Sequence, residues 1–217
     1  MKKRLHWLGL ITGLLMLQAV PALAGYDQGI EYLAIKPPVP TEDPQKVEVV
    51  EMFWYGCPHC YHFEPKLVEW LKHKPANVVF KRVPAIFPNR PEWELHARAY
   101  YTAELLGVLD KTHEALFDAI HQQHQNLFDL DSLADFFAKY GVDKKLFKET
   151  MYSFGVQMKV DHAKELSRLY QIDGVPTLVI DGKYRTYASL TNGEEGMLKV
   201  TDYLIEKESK ALAQQSK

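Results

Sequence analysis

The sequence predicts an α/β fold interrupted by a helical insertion, and three observations carry that prediction. A strand, a helix and a second strand succeed one another over residues 46–83. Residues 92–170 then show repeated helical periodicity with no clear strand, and strand character returns at 175–187.

The elements follow in chain order. Lys2, Lys3 and Arg4 precede an apolar run from Leu8 to Val20 that ends in Ala22-Leu23-Ala24. A positive start, a short apolar core and a small-x-small exit make a secretory signal peptide, with cleavage expected before Gly25. An uncleaved membrane anchor would want roughly 20 apolar residues and no such exit. Glu31 to Lys36 can form a short strand, and the proline-rich segment 37–44 is a connecting loop. Lys46 to Tyr55, rich in valine and aromatic residues and closed by Gly56, reads as a buried strand. Pro58 suits the first turn of a helix, where its missing N–H costs nothing. That helix, 58–74, places Phe63, Leu67, Trp70 and Leu71 on one face and carries a kink at Pro65. Asn77 to Val83 is a second strand, parallel to the first. The helical block contains WELHARAYYTAELL, KTHEALFDAIHQQH, DSLADFFAKY, KKLFKET and VQMKVDHAKELSRLY, punctuated by Gly107, Gly141 and Gly155. Val175 to Asp181 is a strand, Asp181-Gly182 signals a hairpin, and 183–187 is its partner. A last helix covers about 194–212, and the tail AQQSK frays.

Composition narrows the function. The 217 residues carry a formal net charge of −2, and cleavage would take away three positive charges, so the chain lacks the basic footprint of a nucleic-acid binder. A chain of this length has room for a sizeable core. An exported protein enters an oxidising compartment, yet only Cys57 and Cys60 are present.

Cys57-Pro58-His59-Cys60 sits where the first strand gives way to the first helix. A sulfur at a helix N-terminus meets unpaired N–H groups and the positive end of the helix dipole, which favours the thiolate. This pairing is known for lowering the thiol pKa far below its usual value of about 8.5. Cys57 is expected to be the exposed nucleophile and Cys60, one turn in, the buried resolving thiol. His59 is expected to stabilise the Cys57 thiolate further. Stabilising the reduced form makes the disulfide a stronger oxidant. A structural staple is a poorer use of this spacing, since closing four residues contributes roughly 2 kcal/mol against nearly 5 for about 100. A structural zinc site wants four ligands, and no second CxxC exists. Two inert buried thiols are the remaining reading. Gly174-Val175-Pro176-Thr177 opens the returning strand, where a trans proline is favoured by the residues alone because only about one X–Pro bond in twenty is cis; a cis Val175–Pro176 bond beside the sulfurs would leave the Val175 backbone free to pair with an extended substrate. His113, His121 and His124 are expected to be solvated helix residues rather than a metal cluster, because no carboxylate or cysteine completes a ligand set. Trp93, Tyr100, Tyr101, Phe117, Phe136 and Phe137 are expected in the core.

CPHC, VPT, the helical block between them and the stretch VVEMFWYGCPHCYHFEP together resemble the DsbA family of periplasmic thiol:disulfide interchange proteins. The resemblance implies a thioredoxin fold with an inserted helical domain, with 25–88 and 171–217 as the thioredoxin-like part and 89–170 as the insertion. By similarity, Glu51 matches the family's buried acid beneath the active site and Glu64 the acid on the active-site helix, both tuning proton movement around Cys60. Read without the resemblance, Glu51 is a strand residue facing solvent and Glu64 a helix surface charge. The family also implies oxidation of unfolded exported proteins in the periplasm, no bound cofactor, and reoxidation by a membrane quinone reductase of the DsbB type. Thioredoxins are less similar, since they carry Trp before the first cysteine where this chain has Gly56. Rival readings are a disulfide isomerase or reductase of the same fold and a redox-inactive chaperone or binding module. Isomerases of this compartment carry a dimerisation domain, none is evident, and a monomer is expected.

Overall fold

The computed structural model describes residues 25–215, so the expected signal peptide lies outside the described residues. Five strands are β1 (Leu33–Ala34), β2 (Val47–Phe53), β3 (Val78–Pro84), β4 (Thr177–Ile180) and β5 (Tyr184–Thr186). Helices α1 (Pro58–His73) and α7 (Glu194–Gln215) accompany the sheet. Between β3 and β4 run α2 (Pro91–Leu105), α3 (Leu109–His121), α4 (Leu130–Ala138), α5 (Lys144–Met151) and α6 (Phe154–Leu169).

The sheet order is β1-β5-β4-β2-β3, with β2 and β3 parallel and the other neighbours antiparallel. Parallel pairing of β2 with β3 requires a crossover, and α1 supplies it. β2 is buried along its whole length because layers cover both of its faces. Val47 and Val49 pack with Phe63 and Leu67 of α1 and with Val200 and Leu204 of α7. Val50 and Met52 join a second core with the inserted helices. The expected strand to Tyr55 stops at Phe53, whose partner across the ladder is Pro84, a residue with no N–H to continue the pairing. The chain then turns, with Cys57 N–H donating to the Trp54 carbonyl at 3.0 Å.

The expected strand at 31–36 shrinks to two residues at the sheet edge. The Asp181-Gly182 hairpin is present, with both residues at positive φ (54° and 60°), as a tight turn of this kind requires. Gly182 also lies so close to the Val39 carbonyl that a side chain would strike it at 2.0 Å. α1 continues through Pro65 as one helix. Within the insertion, Asp129, Asp143 and Ser153 accept hydrogen bonds from the first-turn amides of Ser132, Leu146 and Val156, which sets where α4, α5 and α6 begin. Tyr100, Tyr101, Phe117, Phe136 and Phe137 are buried as expected, while Trp93 is half-buried.

Candidate active site

The β2–α1 junction sets both cysteines. Gly56 lies under the Trp54 indole, where an added Cβ would stand 2.3 Å from the ring, so the chain passes here only without a side chain. Trp54 in turn stacks on Trp93 of α2, centroids 4.4 Å apart. Cys57 is the N-cap of α1, Pro58 occupies its first turn, and Cys60 is one turn in. Both cysteines are free thiols. Cys60 is fully buried, but Cys57 is also 8 % exposed, less open than the exposed nucleophile expected from sequence. Its thiol lies against the cis-proline loop: Cys57 Sγ donates to the Val175 carbonyl at 3.4 Å, and the Val175–Pro176 bond is cis.

The two thiols are driven apart electrically. A hydrogen bond from the Cys60 thiol, then the backbone N–H groups of Cys60 and His59, and then the His59 charge lower the Cys57 pKa to about 6. Burial pushes Cys60 well above its ordinary value, and the neighbouring Cys57 and Glu51 charges push it further. His59 is exposed, and its charge contributes in the expected direction but less than the hydrogen bonds.

Glu51 and Glu64 are both buried, contrary to the solvent-facing reading. Arg82, which the sequence reading does not single out, explains how two carboxyls tolerate that position. It stands directly across the ladder from Glu51, donating from Nε to Glu51 Oε2 at 3.1 Å and from Nη2 to Glu64 Oε1 at 2.6 Å. Arg82 follows Lys81 on β3, and only the ladder register tells which of the two cations meets the acids. Burial pushes the Glu51 carboxyl up to about 8, against the pull of Arg82. Burial also acts on Glu64, but nearby His113 and Arg82 outweigh it and hold its carboxyl below the usual range.

The three histidines separate. His113 is buried, with Nδ1 2.8 Å from the Tyr55 hydroxyl and Nε2 3.7 Å from Glu64 Oε2. His121 is half-buried, with Nε2 2.7 Å from the Tyr55 carbonyl and its ring stacked on Tyr61. Only His124 is exposed, at positive φ just past α3. The expectation of solvated helix residues fails for His113 because it shares a face with buried Leu116, Phe117 and Ile120, a spacing of three, four and seven that was visible in the sequence. His62 is exposed on α1. Among the described residues no cluster suits a metal ion.

A family model described as a DSBA-like thioredoxin domain matches residues 48–204. The chain belongs to the DsbA family. Thiol:disulfide interchange protein DsbA of Pseudomonas aeruginosa is 44% identical over 206 residues, 93% of this chain and 97% of that protein. Its counterpart in Burkholderia cepacia is 43% identical over 208 residues, 94% of this chain and 96% of that protein. The crystal structure of P. aeruginosa DsbA superposes with a TM-score of 0.80 at 47% identity, over 86% of this chain and 96% of that one. DsbA from Xylella fastidiosa gives 0.77 at 36% identity, over 84% of this chain and 97% of that one. The fold is thus the DsbA form of the thioredoxin fold, and as a DsbA-family member the chain is a thiol:disulfide oxidoreductase.

Proposed function

We propose that the chain works as a periplasmic monomer that donates the Cys57–Cys60 disulfide to newly exported proteins, and that a membrane quinone reductase of the DsbB type restores it. The observation that carries the direction is the opposite displacement of the two thiols. The fold favours thiolate at Cys57, which stabilises the reduced protein and makes the disulfide an oxidant. In the reaction a client thiolate attacks Cys57 Sγ. The Cys57–Cys60 bond breaks, and its electron pair goes to Cys60, which takes up a proton. A second client thiolate then attacks the client sulfur of the mixed disulfide. Cys57 departs as thiolate, the client keeps the new disulfide, and the enzyme holds two added electrons.

The roles follow the geometry. Pro58 starts α1 and His59 adds positive charge beside Cys57. Val175 and Pro176 present backbone beside the attacked sulfur, where an extended client segment can pair. A cavity of about 500 Å³ adjoins them, lined by His59, Val175, Pro176, Tyr187, Ala188 and Glu194, among other residues, and offers room for client or partner side chains. Glu51 and Glu64 tune proton supply to Cys60. No helix among the described residues is long and apolar enough to cross a membrane.

Equilibration with glutathione tests the direction. A potential near about −120 mV, the value typical of the DsbA family, is expected, and one nearer about −270 mV, as in thioredoxin, would make the chain a reductase. Cys57→Ser is expected to abolish client oxidation, and unchanged oxidation would leave only a binding role.

A further inference from the structure

His113 is a buried imidazole that the exchange steps above do not use. The groups facing it are Tyr55 just after β2, Arg82 on β3, Glu64 on α1, Tyr100 on α2 and Glu114 on its own helix. Phe53 and Phe117 close the remainder edge-on, each with its centroid 5.3 Å away. Burial, with Arg82 beside it, outweighs the pull of Glu64 and disfavours a positive charge on the ring, which leaves His113 a neutral imidazole with one ring proton.

Two contacts decide where that proton sits. The buried Tyr55 phenol keeps its own proton and, 2.8 Å from Nδ1, donates it there. The ring proton is then on Nε2, facing the Glu64 carboxylate 3.7 Å away. The other tautomer would turn a lone pair against that carboxylate, so electrostatics select the same arrangement. Arg82 bonds both Glu51 and Glu64, whereas His113 faces Glu64. The two carboxyls therefore share one cation but not one imidazole.

We propose that Tyr55 and His113 are positioning residues of the exchange reaction: joined to each other, they aim Nε2–H at Glu64 and so leave the shared proton of the Glu51–Glu64 pair on Glu51. This rests on the reading that the pair serves Cys60. Glu51 is the carboxyl whose charge reaches Cys60. When a client thiolate attacks Cys57 and the disulfide electron pair arrives on Cys60, the Glu51 proton passes to that sulfur and Glu51 is left as carboxylate. Reoxidation runs the transfer backwards: Cys60 gives up its proton to Glu51 as its sulfur reforms the bond.

The test is a carboxyl ¹³C NMR titration of the oxidised protein, with Glu51 and Glu64 assigned. The wild type is expected to lose the pair's protons in two well-separated steps, the lower centred on Glu64 and the upper on Glu51. Tyr55→Phe, which removes one oxygen and keeps the ring, and His113→Leu are each expected to raise the lower step by about one pH unit, a tenfold change in proton affinity. His113→Gln, which retains an N–H donor, is expected to recover most of the separation. Unchanged separation in folded Tyr55→Phe overturns the inference, whether or not His113→Leu folds. A Glu51→Gln variant separates this from the underlying reading. If it matches the wild type in potential and in the pH dependence of client oxidation, the carboxyl pair does not serve Cys60, and the proposal falls for that reason even where the NMR steps respond.

Discussion

At the scale of residues, the site is an unequal treatment of chemically equal groups. Cys57 and Cys60 are the same side chain, yet one is lowered by donors around it and the other raised by burial. Glu51 and Glu64 repeat the pattern with carboxyls around Arg82. The Glu51 displacement has a consequence for stability. Its folded value of about 8 lies above the ordinary carboxylate value of about 4.3, so the folded protein holds a proton that the unfolded chain releases. The stabilisation from that proton is complete below the unfolded value and is lost as pH rises through about 8. Glu51→Gln removes this slope. In urea unfolding of the oxidised protein, the variant is expected to gain on the wild type between about pH 5 and 8, by at most about 1.4 kcal/mol per pH unit. Parallel curves for the two proteins would sink the claim.

How much of this was legible depends on the residue. The CPHC chemistry needs only spacing and a helix start, both local, and local signals survive in a sequence. The partner of the two acids is different. Arg82 lies on a strand whose register with β2 is set by sheet assembly, so nothing near Glu51 in the chain announces it. Tyr55 and His113 are 58 positions apart and meet only when α3 folds back onto the junction. His113 was hidden for a second reason: histidine reads as polar, although its helical phase placed it on the apolar face.

At the scale of elements, the insertion was readable as helices because glycines and polar caps separate its periodic stretches. Which helix packs on which was not, since that depends on ring-to-ring contacts between distant segments. Phe147 of α5 is fully buried and stacked on Phe137 of α4, centroids 4.6 Å apart. Phe147→Ala is expected to lower unfolding free energy by about 3–5 kcal/mol in denaturant titration. Since α5 packs mainly on α2 and α4, the glutathione potential of the folded variant is expected to stay at the wild-type value. A small loss of stability would mean that this pair of helices contributes little to the insertion's core.

At the scale of the whole molecule, redox state and folding are linked. Unfolding releases the Cys57 thiolate from the donors that stabilise it, so the folded structure favours the dithiol form relative to the unfolded chain. By the closed cycle, the reduced protein is expected to melt at a higher temperature than the oxidised protein in calorimetry at pH 7. Equal or reversed melting temperatures would contradict the direction of exchange proposed for this site.

The contacts from α3 carry a last consequence, for anyone who would transplant this redox centre. His113 meets the Tyr55 hydroxyl, His121 meets the Tyr55 carbonyl at 2.7 Å, Tyr61 donates to Asp118 at 3.1 Å, and Gln122 donates to Tyr61. These fastenings hold the peptide on both sides of the cysteines, and the rings of Phe53, Tyr55 and Phe117 fill the space beneath. Cutting out the inserted helices to obtain a minimal electron carrier would strip the floor from under Tyr55 and open an apolar wall along β2. The smallest portable unit of this chemistry is therefore the CPHC turn together with α3, one piece from outside the insertion and one from within it rather than a contiguous stretch of chain.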